Sequence, residues 1–459
     1  MNLDSTIWQV IEEWTANFSG LMWGTPLVVL LVGGGLYFTL YSRFIPFRYF
    51  GHAFQILRGK YDDINDPGQI SHFQALSSAL ASTVGMGNIG GVALAIHTGG
   101  PGALFWMWIS AIVGMATKYF TCTLSIMYRG KDDQGEIQGG PMYVVEQGLG
   151  SKFRPLAILF SVAGLVGCLV LFQANQLSQI VRDLIYSPNQ YFVGNQMVGD
   201  LTTGIVVAII VSLVIFGGIR RIGLVASRMV PFMVAIYILA AILILFRHLS
   251  EIPFVFITIV QDAFTGDAVL GGSLGSIIII GIKRAAFSNE AGIGTESMAH
   301  GAAKTKEPVR EGLVAMVGPF IDTIIVCSIT GFVILLSGVN SSDVNGVTLT
   351  AMAFEHELGI MGQLLLVVAA ISFSLSTMFG YSYYGRKCTS YLFGAKWKSV
   401  YNGFYVGSII LASIISIDIA INIIDAMFAL MAIPTMVSTL LLSRKVMDET
   451  QRYFSKDTL

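Results

Sequence analysis

Charge is what this sequence has least of. Only 12% of its 459 residues are Asp, Glu, Lys or Arg, where soluble globular proteins carry about 25%. With 54% hydrophobic residues and a mean hydropathy of +0.70, too few charges remain to solvate a chain of this length. That excludes a soluble globular protein and a disordered one, and leaves an integral membrane protein. Cysteine is scarce as well. Cys122, Cys168, Cys327 and Cys388 lie far apart in or beside apolar segments, which excludes a disulfide scaffold and reads as small core hydrophobes. The six His (52, 72, 97, 248, 300, 356) sit at connections without metal-ligand spacing, and Glu355-His356-Glu357 reads as a solvated outer loop. Basic residues are missing ahead of the first apolar run, where a cleaved secretory signal carries them. The first span is therefore expected to stay in the mature protein. A net charge of −1 gives no reason to expect a nucleic-acid partner.

What is abundant is apolar runs long enough to cross a bilayer, which takes about 20 residues of helix. Eleven candidates lie between polar breaks: 19–40, 73–98, 103–128, 154–181, 201–217, 225–246, 272–299, 312–337, 361–385, 400–417 and 419–443. The positive-inside rule tests the count independently. Every second connection, together with the C-terminal tail, is basic; these segments hold 22 of the 27 Lys and Arg. They carry, for example, Arg43, Arg48, Arg58 and Lys60, or Arg386, Lys387, Lys396 and Lys398. The alternate connections offer only Arg182 and Arg247. The rule predicts an outer N-terminal segment (1–18), one preceding helix (19–40), and a cytoplasmic tail (444–459).

Two of these runs are not ordinary helix. The second contains Ser82-Thr83-Val84-Gly85-Met86-Gly87-Asn88-Ile89-Gly90-Gly91, and the seventh contains Phe287-Ser288-Asn289-Glu290-Ala291-Gly292-Ile293-Gly294. Each interior Gly costs about 1 kcal/mol relative to Ala, so both segments invite unwinding. Unwound backbone survives at membrane depth only where protein or a polar cavity satisfies it. Freed carbonyls then suit a cation, and the N-terminus of the following half-helix suits a carboxylate. Close packing through small residues, as at Gly87 and Gly91, competes with that reading for one segment. Two such segments, each opening a set of five spans (73–246 and 272–443), fit an inverted repeat instead, with the site at the midplane. Gly85-Met86-Gly87-Asn88-Ile89-Gly90 formally matches a dinucleotide fingerprint, but no strand precedes it and no acid follows until Asp132, which excludes nucleotide binding.

At these residues the chain resembles the alanine/glycine:cation symporter family, also called sodium:alanine symporters. The resemblance rests on Phe73-Gln74-Ala75-Leu76, Thr83-Val84-Gly85 with Gly87-Asn88-Ile89, Gly99-Gly100-Pro101-Gly102-Ala103 and Gly114-Met115-Ala116-Thr117-Lys118-Tyr119. It continues through Gly139-Gly140-Pro141-Met142-Tyr143, Phe287-Ser288-Asn289-Glu290-Ala291-Gly292, Phe320-Ile321-Asp322-Thr323 and Tyr383-Tyr384-Gly385. The resemblance implies an all-α, eleven-helix, leucine-transporter-like 5+5 inverted repeat preceded by one extra helix. It also implies uptake of small neutral amino acids coupled to Na⁺, or sometimes H⁺. The lack of a long glycosylated ectodomain or extended tails fits the expectation of a prokaryotic cytoplasmic (inner) membrane. By the resemblance, Thr83, Gly85, Met86 and Gly87 belong to the substrate site, together with Gln173, Phe287, Ser288, Asn289 and Tyr381. The carbonyls of Ala81 and Val84 with the hydroxyls of Ser376 and Thr377 form a Na⁺ site, and Asn88 with the Thr83 carbonyl a second. Three positions depart from the family pattern: Met86 stands for Thr, Tyr381 for Trp, and Thr121 for Glu. The first two put the choice among alanine, glycine and larger solutes in doubt, and the third removes a partner for Lys118.

Each polar residue in a span also has a plain structural explanation. Ser376 and Thr377 can bond back to their own helix, and Gln173, Asn175 and Gln176 can bond a neighbouring one. Glu290, Asp322 and Asp425, with Lys118, Lys283 and Arg284, are intramembrane charges that demand partners; Glu290 with Arg284, or Asp322 with Lys118, are the pairs considered. The expected partners are a small neutral amino acid, Na⁺ and the bilayer, with no cofactor and no obligate protein partner. A proton-coupled carrier, or one for glutamine, serine or D-alanine, is the alternative. A passive channel predicts unsaturable flux, and an intramembrane enzyme lacks a nucleophile–base set within the spans.

Overall fold

The computed structural model describes residues 3–63, 65–265, 274–339 and 344–455. The start of the seventh candidate span (272–273) and the tail residues 456–459, with Lys456, lie outside the described residues. Among the described residues, seven helices are long and apolar enough to cross a membrane, or nine if each of two bent pairs counts as one span. The bent pairs are α1 (Leu3–Met22) with α2 (Thr25–Tyr41), at 49° over Trp8–Met22, and α3 (His72–Thr83) with α4 (Gly87–Gly99), at 52°. The seven are α5 (Gly102–Met127), α6 (Ser151–Tyr186), α7 (Gln196–Ile215), α8 (Gly218–Arg247), α12 (Pro308–Leu336), α14 (Ile360–Phe393) and α16 (Ile417–Ser455). Between them lie α9 (Ile252–Thr265), α10 (Leu274–Asn289), α11 (Glu296–His300), α13 (Gly346–Leu358) and α15 (Lys398–Ala412).

The expected count of eleven is thus reached only in part. Two candidates, 272–299 and 400–417, contain helices of 16 and 15 residues, α10 and α15, short of the length that spans a bilayer unaided. The segment 1–18 is not a loose lead: α1 begins at Leu3 and packs along α16. The tail is helical as far as Ser455. Two connections hold helices, α9 and α13, because each carries an apolar stripe that must be buried.

Helix α5 forms the spine: α10 and α12 pack on it, α8 packs on α3 and α14, and α6 lies against α16. The outer faces of α7 and α8 stay apolar, with Leu213, Phe232, Leu239, Leu243 and Phe246 exposed, as a lipid-facing surface requires. The four cysteines are free and buried.

The basic connections meet at one end. A two-stranded hairpin, β1 (Gly130–Lys131) and β2 (Ile137–Gln138), lies there. Gln69 N donates to Ala302 O at 2.8 Å, Lys304 N to Ile70 O at 2.7 Å and Thr305 N to Pro67 O at 3.1 Å. Arg129 reinforces this clasp, donating to the carbonyls of Gly301 (2.9 Å), Pro67 (3.0 Å), Thr305 (3.2 Å) and Ala303. The segment entering α3 and the one leaving α11 are thereby tied together. At the opposite end Arg182 pairs with Asp200 at 2.5 Å, and Arg247 donates to Glu357 O at 2.5 Å.

Candidate functional site

Both interruptions fall where the Gly- and Asn-rich segments predict them. Helix α3 is started by a Ser71–Gln74 capping box and runs to Thr83; Val84 then leaves helical geometry at φ −73°, ψ 92°. In an unbroken helix the Gly85 N–H would close on the Ala81 carbonyl. It donates instead to Asn88 Oδ1 at 2.8 Å, so Ala81 loses its helical partner. Glycine is required at 85, because a Cβ there would lie 2.2 Å from Thr377 Oγ1. In the second interruption α10 ends at Asn289, whose Oδ1 accepts from Ala291 N at 2.9 Å. Glu290 follows at φ +57°, with Gly292 at +85° and Gly294 at +96°. A glutamate in the left-handed region is strained; its carboxylate is held there by the hydroxyls of Thr295 and Tyr381.

The two breaks are joined by Asp322, on α12. Its carboxylate accepts from Asn88 Nδ2 at 2.7 Å, from Ser288 Oγ at 2.7 Å and from Thr323 Oγ1 at 2.8 Å. Its backbone carbonyl also accepts from Asn88 Nδ2, at 3.0 Å. Thr323 Oγ1 in turn accepts from Asn289 Nδ2 at 2.9 Å. One carboxylate thus holds Asn88 of the first break and Ser288 of the second. Sequence reasoning considered Asp322 only as a partner for Lys118. A signal existed locally: Phe320–Cys327 is a π-helical stretch, a rare widening found frequently at functional sites.

Helix α14 closes the site from another side. Thr377 Oγ1 abuts Gly85, and both hydroxyls bond back to their own helix, Ser376 to Phe373 O at 2.9 Å and Thr377 to the same oxygen at 3.0 Å. A hydroxyl that donates its proton keeps lone pairs for a cation, so the back-bonding and the ion-ligand roles are compatible. Phe287 lies over Gly87, 3.2 Å from where a Cβ would be. It packs edge-on against Phe172 with ring centroids 5.1 Å apart, and Phe428 lies 6.0 Å away. Met86 is fully buried, and Thr83 bonds back to Ala79 O at 3.2 Å.

The amides of α6 divide by role. Asn175 donates to Ile415 O in the α15–α16 connection at 2.7 Å, and Gln176 Oε1 accepts from Val347 N of α13 at 2.9 Å; both are ties to neighbouring segments. Gln173, next to Phe172, is buried, and its Oε1 has no hydrogen-bond partner among the described residues.

The charges pair differently from either arrangement considered. Arg284 donates to Asp425, which also takes Lys283 Nζ at 2.9 Å. Glu290 lies past the end of α10 and is held by Thr295 and Tyr381, so it makes no pair with Arg284. Lys118 is buried and has no acid within 4.0 Å among the described residues. Thr121 donates to Glu296 at 3.2 Å, so an acid from α11 reaches this region. Two histidines expected at connections are buried. His72 and His300 both bond Glu311, His300 at 2.5 Å, beneath the clasp of Arg129. Nor is Glu355-His356-Glu357 a free loop: it ends α13, and Glu357 pairs with His248 at 2.8 Å.

The model of the sodium:alanine symporter family matches residues 8–458. The sodium/alanine symporter AgcS of Methanococcus maripaludis is 41% identical over 441 residues, covering 95% of each chain. The probable sodium/glutamine symporter GlnT of Bacillus subtilis is 31% identical, covering 97% of this chain and 91% of its own. Among solved structures, MhsT in complex with L-phenylalanine superposes with a TM-score of 0.62 at 13% identity, over 84% of this chain and 93% of that one. That likeness establishes the leucine-transporter-like fold. A multi-pass membrane protein of this fold, with relatives that are carriers and not enzymes, is a transport protein, and the chain belongs to the sodium:alanine symporter family.

Proposed function

We propose that this chain is a Na⁺-coupled symporter that takes up small neutral amino acids, alanine and glycine foremost, by alternating access. The observation that carries the reading is the Asp322 tie between the two broken helices. It makes the shape of one break depend on the other, which is what coupling an ion to a solute requires. In this reading Na⁺ is held by the carbonyls of Ala81 and Val84 and by Ser376 and Thr377; neutral oxygens suit a hard cation. A second Na⁺ would use Asn88 Oδ1, which keeps a lone pair beside its bond to Gly85 N, with the Thr83 carbonyl.

The solute carboxylate docks on the backbone from Gly85 to Gly87, at the start of α4. The amino group meets the unpaired Gln173 Oε1, with Ser288 and Asn289 setting the second break. Phe287, Met86 and Tyr381 bound the side-chain space. By the positive-inside rule the clasped, basic end faces the cytoplasm, in this reading of a prokaryotic inner-membrane protein with the chain built as repeats 73–246 and 272–443. Release inward then requires the clasp between 67–70 and 302–305 to open.

The test is uptake of labelled L-alanine into proteoliposomes under an inward Na⁺ gradient, against a K⁺ control. Glycine, D-alanine, serine and glutamine serve as competitors. Saturable uptake that collapses without the Na⁺ gradient is the expected result. Uptake that ignores Na⁺ and follows an imposed pH gradient removes Ser376 and Thr377 from the ion role.

A further inference from the structure

Away from the breaks, one polar cavity holds more positive charge than its surroundings neutralise. It encloses ≈270 Å³ between the β1–β2 hairpin, the end of α14 and the start of α15, and Arg386, Lys387 and Lys398 line it. Lys398 is paired, with Asp132 at 2.6 Å. The other two are not. Lys387 is 3% exposed and has no carboxylate within 4.0 Å among the described residues. Its ammonium reaches the Gly139 carbonyl only at 3.5 Å and lies 5.0 Å from the Tyr383 ring centroid. Arg386 makes one long contact, Nη1 to Ile215 O at 3.4 Å, and its Nε is buried without an acceptor. Glu136 also lines the cavity and accepts from Gln69 Nε2 at 2.7 Å; its charge and that of Asp132 leave the three bases one positive charge in excess. A buried cation without an adjacent counter-charge is costly; Lys387 is one, and the half-buried Arg386 shares its cavity wall.

We propose that this cavity binds a small oxyanion, with Lys387 and Arg386 as its charged donors. An ammonium and a guanidinium both donate to carboxylate or phosphate oxygens in short, charge-assisted bonds. Basic pockets between membrane helices hold the phosphate-bearing head groups of lipids by the same chemistry. Two sources supply such an oxyanion. One is free phosphate. The other is the carboxylate of the transported solute: Tyr381 and Lys387 are about 9 Å apart along α14, so the cavity lies within two turns of the second break. This second source rests on the symport reading above; the first does not.

The test uses the purified full chain in a chloride buffer free of other oxyanions, titrated with inorganic phosphate and separately with acetate, following Tm. A saturable rise is expected with at least one anion. Apparent affinity should fall roughly tenfold or more in Lys387→Gln and in Arg386→Gln, and persist in Lys387→Arg. Saturation by phosphate alone identifies free phosphate as the ligand; saturation by acetate, competed by L-alanine, identifies the solute carboxylate. The wild-type protein gives a second readout, broadening of the phosphorus NMR line of phosphate that excess sulfate reverses. No saturable rise and no broadening, or a rise that both Gln variants leave unchanged, overturns the site. Na⁺-driven uptake is measured separately, so its failure leaves the phosphate result standing.

Discussion

Gly85→Ala puts a methyl group where Thr377 Oγ1 would be 2.2 Å away and Thr377 Cβ 3.4 Å away. The first distance is impossible without movement, whereas the second is ordinary contact. Overpacking of this kind costs about 1–3 kcal/mol, because Thr377 is held by its bond to Phe373 O and the break is packed on several sides. Thr377→Ala removes the offending oxygen. The double variant Gly85→Ala with Thr377→Ala should therefore recover most of the stability lost by Gly85→Ala, giving a coupling of about 1–3 kcal/mol in a double-mutant cycle. Transport should behave differently. If the Thr377 hydroxyl ligates Na⁺, each variant carrying Thr377→Ala loses it, and half-activation by Na⁺ should rise roughly tenfold, the effect of about 1.4 kcal/mol. The assays are thermal unfolding of purified protein and alanine uptake against Na⁺ concentration. A double variant no more stable than Gly85→Ala would refute the close approach. Unchanged Na⁺ activation with restored stability would refute the ion role and leave the packing argument intact.

Three further predictions follow from the same contacts. Asp322→Asn turns one acceptor into a donor facing Asn88, Ser288 and Thr323; uptake should fall by roughly tenfold or more, and near-normal uptake removes Asp322 as the tie between the breaks. Asp425→Asn leaves Lys283 and Arg284 without their shared counter-charge, a loss of about 3–5 kcal/mol for a buried pair; a barely changed Tm counts against that pairing. Outside the spans, hydrogen bonds to Glu357 at 2.8 Å and Glu251 at 3.1 Å raise the pKa of His248. Its contribution is complete below the unfolded His value of about 6.5 and is lost as pH rises through the higher folded value. Glu357→Gln should therefore lower Tm near pH 6 and converge with wild type at high pH, whereas a constant difference across that range shows that proton linkage plays no part.

The sequence by itself determined the membrane class, the alternation of basic connections and the place of both interruptions. These are local properties: hydropathy over one span, charge in one connection, and the clustering of Gly, Ser and Asn within an apolar run act without reference to distant residues. The ordered motifs determined the family in the same way. Helix number was only partly legible, since hydropathy does not say whether an apolar run such as 272–299 or 400–417 is helical along its whole length. The partners of the buried charges were not legible. Asp322 meets Asn88 across 234 positions and Asp425 meets Arg284 across 141, and several acids and bases in the spans were chemically interchangeable as partners. Only the tertiary structure chose among them, because it alone sets which helix faces meet. The same holds for His72 and His300 converging on Glu311, and for Thr377 against Gly85: burial leaves each polar group few neighbours within reach, and packing decides which.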